Sequence, residues 1–279
     1  MELHEHAFAS EETPPDQLVI DDSALLSYAA QRRITPCEAQ QRALQANLLP
    51  LRYAKNLTAL SLEEQRRICS GRVLVCGCGG LGGTISTLLA RLGVGTLRVV
   101  DSDSFSASNL NRQWLSDTLQ LDRPKAVVAA EKITQINPFV KVDAHVERID
   151  AGNVGALLES VDLVMDALDN IPARLLLAEA AKAKALPFVH GAVAGWWGQV
   201  CTFLPGSQVD MATIYGQRRE RDPAEQAVGV LGACAAAIGS LQALEATRLL
   251  AGRKPSYADR LLYFDGESGS SQIIPLNSP

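Results

Sequence analysis

The stretch from Arg72 to Asp101, RVLVCGCGGLGGTISTLLARLGVGTLRVVD, constrains the fold more than any other part of the chain. A short apolar run ends at Cys76, and Gly77, Gly79 and Gly82 follow it in the G-x-G-x-x-G spacing that carries a buried strand into a helix. Gly77 suits the tight turn, Gly79 and Gly80 leave room for backbone to approach a phosphate, and Gly82 lets the helix press onto the strand. The helix N-terminus then presents N–H groups and a positive dipole end to an anion. A second strand-like run, Thr96 to Val100, ends in Asp101, about 20 residues on, where a carboxylate can accept ribose hydroxyls. The unit predicts a nucleotide held by ribose and phosphate. It does not say which one, since nicotinamide and flavin enzymes share the same spacing.

The chain has 279 residues, enough for one large α/β domain or a domain with appendages. A formal charge of −5, with no basic stripe, excludes nucleic acid as an expected partner. Six scattered cysteines follow an acidic, polar start (Met-Glu-Leu-His-Glu-His) that does not resemble a secretion signal, so a cytoplasmic protein with reduced thiols is expected. No C-x-x-C pair occurs, which argues against a structural zinc site. The uncharged run between Glu225 and Glu245 is too rich in Ala and Gly for a membrane span. It reads as a buried helix whose small residues would let a symmetry mate pack closely.

Along the chain, residues 1 to about 20 read as a flexible lead. Asp21 caps a first helix. Thr35, Pro36 and Glu38 open a second, and together they make an N-terminal helical extension over residues 1–50. Residues 51–279 form the main domain. Ser61 and Glu64 set a capping box for a helix that stops at Gly71, with Arg52 and Lys55 upstream as solvated charges or phosphate ligands. The Ser-, Asp- and Asn-dense stretch to Asn111 is a loop at the carboxyl end of the second strand, where ligands bind in doubly wound sheets. A helix from Pro124-Lys125 to Asn137, a strand over Phe139 to Val146 and a helix around Val154 to Ser160 follow. Next come a buried strand ending at Asp166, a helix from Pro172 to Ala185 and a buried strand from Leu186 to His190. This alternation predicts a Rossmann-like α/β fold, a mainly parallel sheet with helices on both faces. Gly198 to Leu204, Leu261 to Asp265 and Gln272 to Leu276 are expected as antiparallel strands at the far edge, with a long polar loop after Gly206.

Several ordered blocks resemble the ThiF/MoeB/HesA family, the bacterial relatives of ubiquitin-activating enzymes. They are Gly77 to Gly82, Asp101-Ser-Asp103, Ser108-Asn109-Leu110-Asn111-Arg112-Gln113, Pro124-Lys125, Asp166-Ala-Leu-Asp169-Asn170 and Ile238-Gly-Ser-Leu-Gln-Ala-Leu-Glu-Ala246. The resemblance implies ATP-dependent adenylation of the C-terminal Gly-Gly carboxylate of a small ubiquitin-like sulfur-carrier protein, with release of pyrophosphate. It implies ATP and Mg2+ as cofactors and a homodimer as the assembly. By similarity, Arg112 and Lys125 neutralise phosphate charge, Asn109 and Gln113 position the phosphates, Asp101 holds the ribose and Asp169 holds magnesium. Asp103, Asn170 and Lys55 complete the implied nucleotide contacts.

Each residue also has a plainer reading. Asp169-Asn170 can cap the following helix, Arg112 can form a loop salt bridge, Lys125 can be an exposed first-turn residue, and Asp103 can shape a turn. Trp196 and Trp197 either line a channel for the carrier tail or pack on the sheet edge. The chain also departs from the family pattern. Arg52-Tyr53-Ala54-Lys55-Asn56 replaces R-Y-x-R-Q, so Lys55 keeps the charge and loses the guanidinium fork. The loop from Gly206 to Val228 has no cysteine, with Glu225 near the place where one would be sought. Cys234 and Cys201 read as packing residues. A catalytically silent scaffold, a nicotinamide oxidoreductase and an enzyme that adenylates another peptide carboxylate are the alternatives.

Overall fold

The structure, a computed structural model, describes residues 2–216 and 228–276. Its centre is an eight-stranded sheet in the order β11-β10-β9-β8-β7-β4-β5-β6. The parallel part comprises β4 (Arg72–Cys76), β5 (Thr96–Val100), β6 (Lys141–His145), β7 (Leu163–Asp166) and β8 (Phe188–Ala194). β9 (Trp197–Phe203), β10 (Arg260–Asp265) and β11 (Ser270–Pro275) extend it antiparallel, as the alternation and the late strand-like runs predict.

Along β4, Val73 and Val75 enter one apolar cluster while Leu74 and Cys76 enter another, so the sheet is buried on both faces. Helices α4 (Gly80–Leu92), α5 (Lys125–Ile136) and α9 (Gly232–Leu250) cover the first face; α6 (Val154–Leu157) and α7 (Ile171–Ala183) cover the second. From β4 the chain passes first to β5 and β6 on one side, then to β7 and β8 on the other. The order reverses between β4 and β7, and the crevice at their carboxyl ends is where such sheets take ligands.

The N-terminal lead carries secondary structure and buried side chains of its own. β1 (Phe8–Ala9), β2 (Leu18–Ile20) and β3 (Leu49–Pro50) form a small separate sheet, and Leu3, Val19 and Ile20 are buried. Low apolar content concealed this, because three well-placed side chains suffice to anchor it. Helices α1 (Asp22–Arg32) and α2 (Pro36–Gln45) begin on the expected caps, Asp21 and Thr35, and α3 (Leu62–Ser70) on the Ser61–Glu64 capping box. Phe139 of the main domain is fully buried among α1 and α2 residues, a contact worth about 2 kcal/mol. Arg52 neither faces solvent freely nor serves the crevice. Its guanidinium pairs with Asp22 and lies 5.1 Å from the Phe139 ring centre, tying the extension to the domain.

Part of the small-residue surface of α9 is used within the chain. A Cβ at Gly239 would stand 2.9 Å from Thr84 of α4, so the two helices approach closely only because Gly239 is bare. Among the described residues no helix is long and apolar enough to cross a membrane. The polar stretch after Gly206 carries a short helix, α8 (Met211–Tyr215). Glu225 lies outside the described residues.

Candidate active site

The turn from β4 into α4 is shaped as its glycines require. Gly77 has φ +96°, and a Cβ there would sit 2.4 Å from the Ala167 carbonyl oxygen; a Cβ at Gly82 would meet the Gly77 oxygen at 1.7 Å. Gly79 is different: the nearest atoms to its absent Cβ are those of the Gln113 amide, Nε2 at 3.5 Å and Cδ at 3.8 Å, so a methyl there would touch a side chain without clashing with backbone. Gly80 departs from the expected role, because its missing side chain makes room for Ala235 and the Arg112 carbonyl, not for a ligand. Its N–H still opens the helix, where the first turn has no intrahelical acceptors.

Polar groups converge on this turn. Asp101 accepts hydrogen bonds from the N–H of Cys78 at 2.7 Å and of Asp103 at 2.8 Å. Burial pushes the Asp101 carboxyl above its ordinary range, against these two donors and the nearby Lys125 cation. Lys125, at the first position of α5, is not the exposed residue that a helix start suggests. Its side chain is 9% exposed, and among the described residues its only acceptor is Asp103, 3.3 Å away and 61% exposed. An ammonium has three protons to donate, so this buried cation is under-paired.

Asn109 and Gln113 are both buried. Asn109 Oδ1 accepts from the Ser106 N–H and so braces the loop, which leaves its amide nitrogen for another partner. Gln113 Oε1 is buried with no hydrogen-bond partner, beside Gly79. Arg112 is half-buried; one guanidinium nitrogen donates to the Ser108 carbonyl and Asn111 Oδ1, so the loop orients it, with no acid partner among the described residues. The salt-bridge reading of Arg112 is therefore not met. Gly232, at the start of α9, abuts Asn111 and Arg112, bringing a second helix N-terminus to the same crevice.

The Asp169 loop closes the other side, since Ala167 and Leu168 stand against Gly77. Asn170 is the cap: its Oδ1 accepts from the Ala173 N–H at 3.0 Å, and its Nδ2 donates to Asp169 at 3.3 Å. Asp169 itself is exposed at the mouth of the crevice. Lys55 is not brought to this site. It lies on the surface, 3.7 Å from Glu12 of the N-terminal segment.

Beneath the loop lies a buried polar cluster that the sequence did not announce as functional. It comprises Asp166, Arg174 and His190, with Tyr215 and Gln199 beside them. The available signal was a lone His inside the apolar run PFVHGAV and an Asp closing VDLVMD, both compatible with ordinary strand residues. Burial raises the thiol pKa of all six cysteines, Cys201 to about 12. Cys201 and Cys234 belong to the two apolar clusters, in keeping with packing roles. Among the described residues no group of three or more His, Cys, Asp or Glu side chains is arranged to hold a metal ion. Trp197 stacks on Tyr263 and Trp196 is half exposed.

The chemistry of this crevice is that of an anion site: two helix N-termini, an under-paired buried ammonium and a loop-held guanidinium, with the exposed carboxylates of Asp103 and Asp169 at its rim. A model of the ThiF family matches residues 53–279. The SAMP-activating enzyme E1 of Haloferax volcanii is 35% identical over 228 residues, 80% of this chain and 84% of that protein. The sulfur carrier protein adenylyltransferase of Thermus thermophilus is 37% identical over 215 residues, 75% of this chain and 79% of that protein. Among solved structures, E. coli MccB with ATP superposes with a TM-score of 0.72 over 82% of this chain and 72% of that one; its 15% identity makes this a likeness of fold.

Proposed function

The chain belongs to the ThiF family, and from that membership together with the anion-binding crevice we propose that it adenylates the C-terminal Gly-Gly carboxylate of a small ubiquitin-like sulfur-carrier protein. The chain is an adenylyltransferase, and ATP is its second substrate. The carrier carboxylate oxygen attacks the α-phosphorus of ATP, the bond from that phosphorus to the β-phosphate oxygen breaks, and pyrophosphate leaves. No protein nucleophile is needed. Two anions must be brought together and a third allowed to depart, so positioning and neutralisation do the catalysis.

Each crevice residue has a part in this reading. The α4 N-terminus and the bare Gly79 receive phosphate, and Asp101 holds the ribose. Gln113 Nε2, beside the Gly79 turn, donates to a phosphate oxygen while its unpartnered Oε1 accepts from a nucleotide hydroxyl or N–H, and the amide nitrogen of Asn109 reaches a phosphate oxygen. Lys125, released from its exposed partner Asp103, and Arg112 offset charge growing on the departing pyrophosphate. Asp169, a hard oxygen donor, would hold magnesium, steadied by Asn170. Such an ion keeps most of its coordination for phosphates and water, so a single protein carboxylate fits it. When bound, magnesium would lower the charge that the nucleotide presents to the incoming carboxylate.

The assembly is a homodimer in this reading, with Lys55 of one copy serving the other's crevice; its exposed ammonium, paired within its own chain with Glu12, is available for this. A reducing, cytoplasmic setting accords with six free cysteines. The observation that carries the proposal is the buried Lys125 ammonium with one exposed partner, next to the glycine turn against which the Gln113 amide rests. Its test is exchange of labelled pyrophosphate into ATP. Exchange that depends on a Gly-Gly-ending carrier supports it, whereas ATP binding without exchange, whatever the carrier, points to a scaffold.

A further inference from the structure

Leu168, the residue before Asp169, has both backbone polar groups held by side chains. Its N–H donates to Asp166 Oδ1 at 3.0 Å, and its carbonyl accepts from Arg174 Nε at 3.1 Å and Nη2 at 2.6 Å. The Asp169 loop therefore takes its geometry from two buried charged groups, Asp166 and Arg174, whose nearest nitrogen and oxygen lie 3.7 Å apart. Those two are locked in turn by His190 and Tyr215. His190 Nδ1 lies 2.7 Å from Asp166 Oδ2, so the ring proton belongs on Nδ1 and Nε2 is left as an acceptor. Tyr215 Oη and Gln199 Nε2 both stand 3.2 Å from that nitrogen and can donate to it. Tyr215 Oη also accepts from Arg174 Nη1 at 2.9 Å, which closes the circuit, and the imidazole and phenol rings meet edge to face. From the opposite helix, Gln242 Nε2 donates to the Asp166 carbonyl at 2.8 Å.

Nothing in strand or helix packing demands this arrangement. A buried carboxylate, guanidinium and imidazole are costly to desolvate unless every member is satisfied, and an apolar cluster would serve stability as well or better. What the circuit delivers is a defined position for the peptide that presents Asp169. We infer that His190, Arg174 and Tyr215 are positioning residues that set the affinity of the Asp169 carboxylate for its divalent cation, acting through the Leu168 backbone. This rests on the assignment of Asp169 as the magnesium ligand.

The test uses the full chain with Mn2+ as probe and a non-cleavable ATP analogue present, with bound and free Mn2+ read by electron paramagnetic resonance. Arg174→Met and His190→Leu should each weaken Mn2+ binding about tenfold, the effect expected when the support of a metal ligand is removed, and Asp169→Asn, which removes the ligand itself, at least as much. Affinity for the analogue without metal should not move. His190→Asn keeps a donor toward Asp166 and should bind Mn2+ as the wild type does. Tyr215→Phe, a half-buried change that removes one hydroxyl, should give a smaller loss in the same direction and covers the case in which His190→Leu does not fold. Wild-type Mn2+ affinity in Arg174→Met and Tyr215→Phe, with Asp169→Asn impaired, overturns the positioning role alone, as does a His190→Asn variant as weak as His190→Leu. Wild-type affinity in Asp169→Asn overturns the metal assignment itself.

Discussion

Lys125 and Asp103 form an unequal pair: the ammonium is buried, the carboxylate 3.3 Å from it stands mostly in water, and the Asp103 carbonyl also accepts the Lys125 N–H at 2.8 Å. Such a cation can be handed from a screened carboxylate to a more highly charged phosphate without moving far.

Replacing it separates catalysis from stability. Lys125→Met should lower carrier-dependent exchange by about 10²–10³-fold, the usual cost of losing one preorganised electrostatic group. The freed Asp103 simply rehydrates, so the unfolding free energy should change by less than about 1.5 kcal/mol. Exchange assays alongside thermal unfolding would check this; activity and stability falling together would mean that Lys125 is structural.

The two glycines of the turn should respond oppositely to an added methyl. Gly82→Ala drives a Cβ onto the Gly77 oxygen, 1.7 Å away, and should cost at least about 3 kcal/mol or prevent soluble expression. Gly79→Ala meets nothing nearer than 3.5 Å and should fold, yet weaken ATP binding about tenfold by occupying the phosphate's space. Calorimetric titration with ATP and a melting curve distinguish them. Unchanged ATP affinity in Gly79→Ala would show that the triphosphate does not lie over this turn.

Acid should destabilise the fold partly through His190. Desolvation by burial holds its pKa below 6.5, overriding the bond and charge of Asp166, which favour the charged ring; Arg174 acts in the same direction as burial. Between the lowered folded value and 6.5 the unfolded chain binds the extra proton, so stability falls as pH drops through that window. His190→Asn lacks this titration. Its unfolding midpoint should therefore lose less than the wild type between pH 7 and pH 5, and parallel curves would refute the assignment of a neutral buried ring.

Cys234 is buried in the main apolar cluster and its thiol is raised by burial, so Cys234→Ala should leave exchange unchanged while costing about 1 kcal/mol in stability. Loss of exchange in a well-folded variant would make the thiol part of the chemistry.

If Lys55 serves the partner's crevice, Lys55→Ala and Asp169→Ala should each be weak alone but complement when mixed. Random exchange of subunits leaves one intact site in half of the dimers, so roughly a quarter of wild-type activity should return. No recovery after verified subunit exchange would remove Lys55 from the site.

Much of this molecule could be read along the chain. The caps at Asp21, Thr35 and Ser61 stand where expected, because a side-chain oxygen and an N–H three residues on find each other whatever surrounds them. The alternation of strands and helices in the main sheet and its antiparallel edge followed from the hydrophobic pattern. Lys125 was misjudged in one of its two readings, since a lysine at a helix start is exposed unless another segment covers it, and here the loop with Asp103 does. The lead before Leu18 was misjudged for the same reason: burial of Leu3 depends on α1 and Phe139, far apart in sequence.

Short-range geometry was therefore written into the sequence: the glycine turn with its helix, the acid that closes β5, the capping boxes and each of the blocks that carry the family resemblance depend on residues a few positions apart. The tertiary structure alone decided which charges lost their water and found each other. Asp166, Arg174, His190 and Tyr215 come from β7, α7, β8 and α8, and Lys125 meets Asp103 across 22 positions. The energy of a buried charge depends on everything packed around it, so only the assembled fold determines which carboxylate is braced, which cation is under-paired and where the crevice lies.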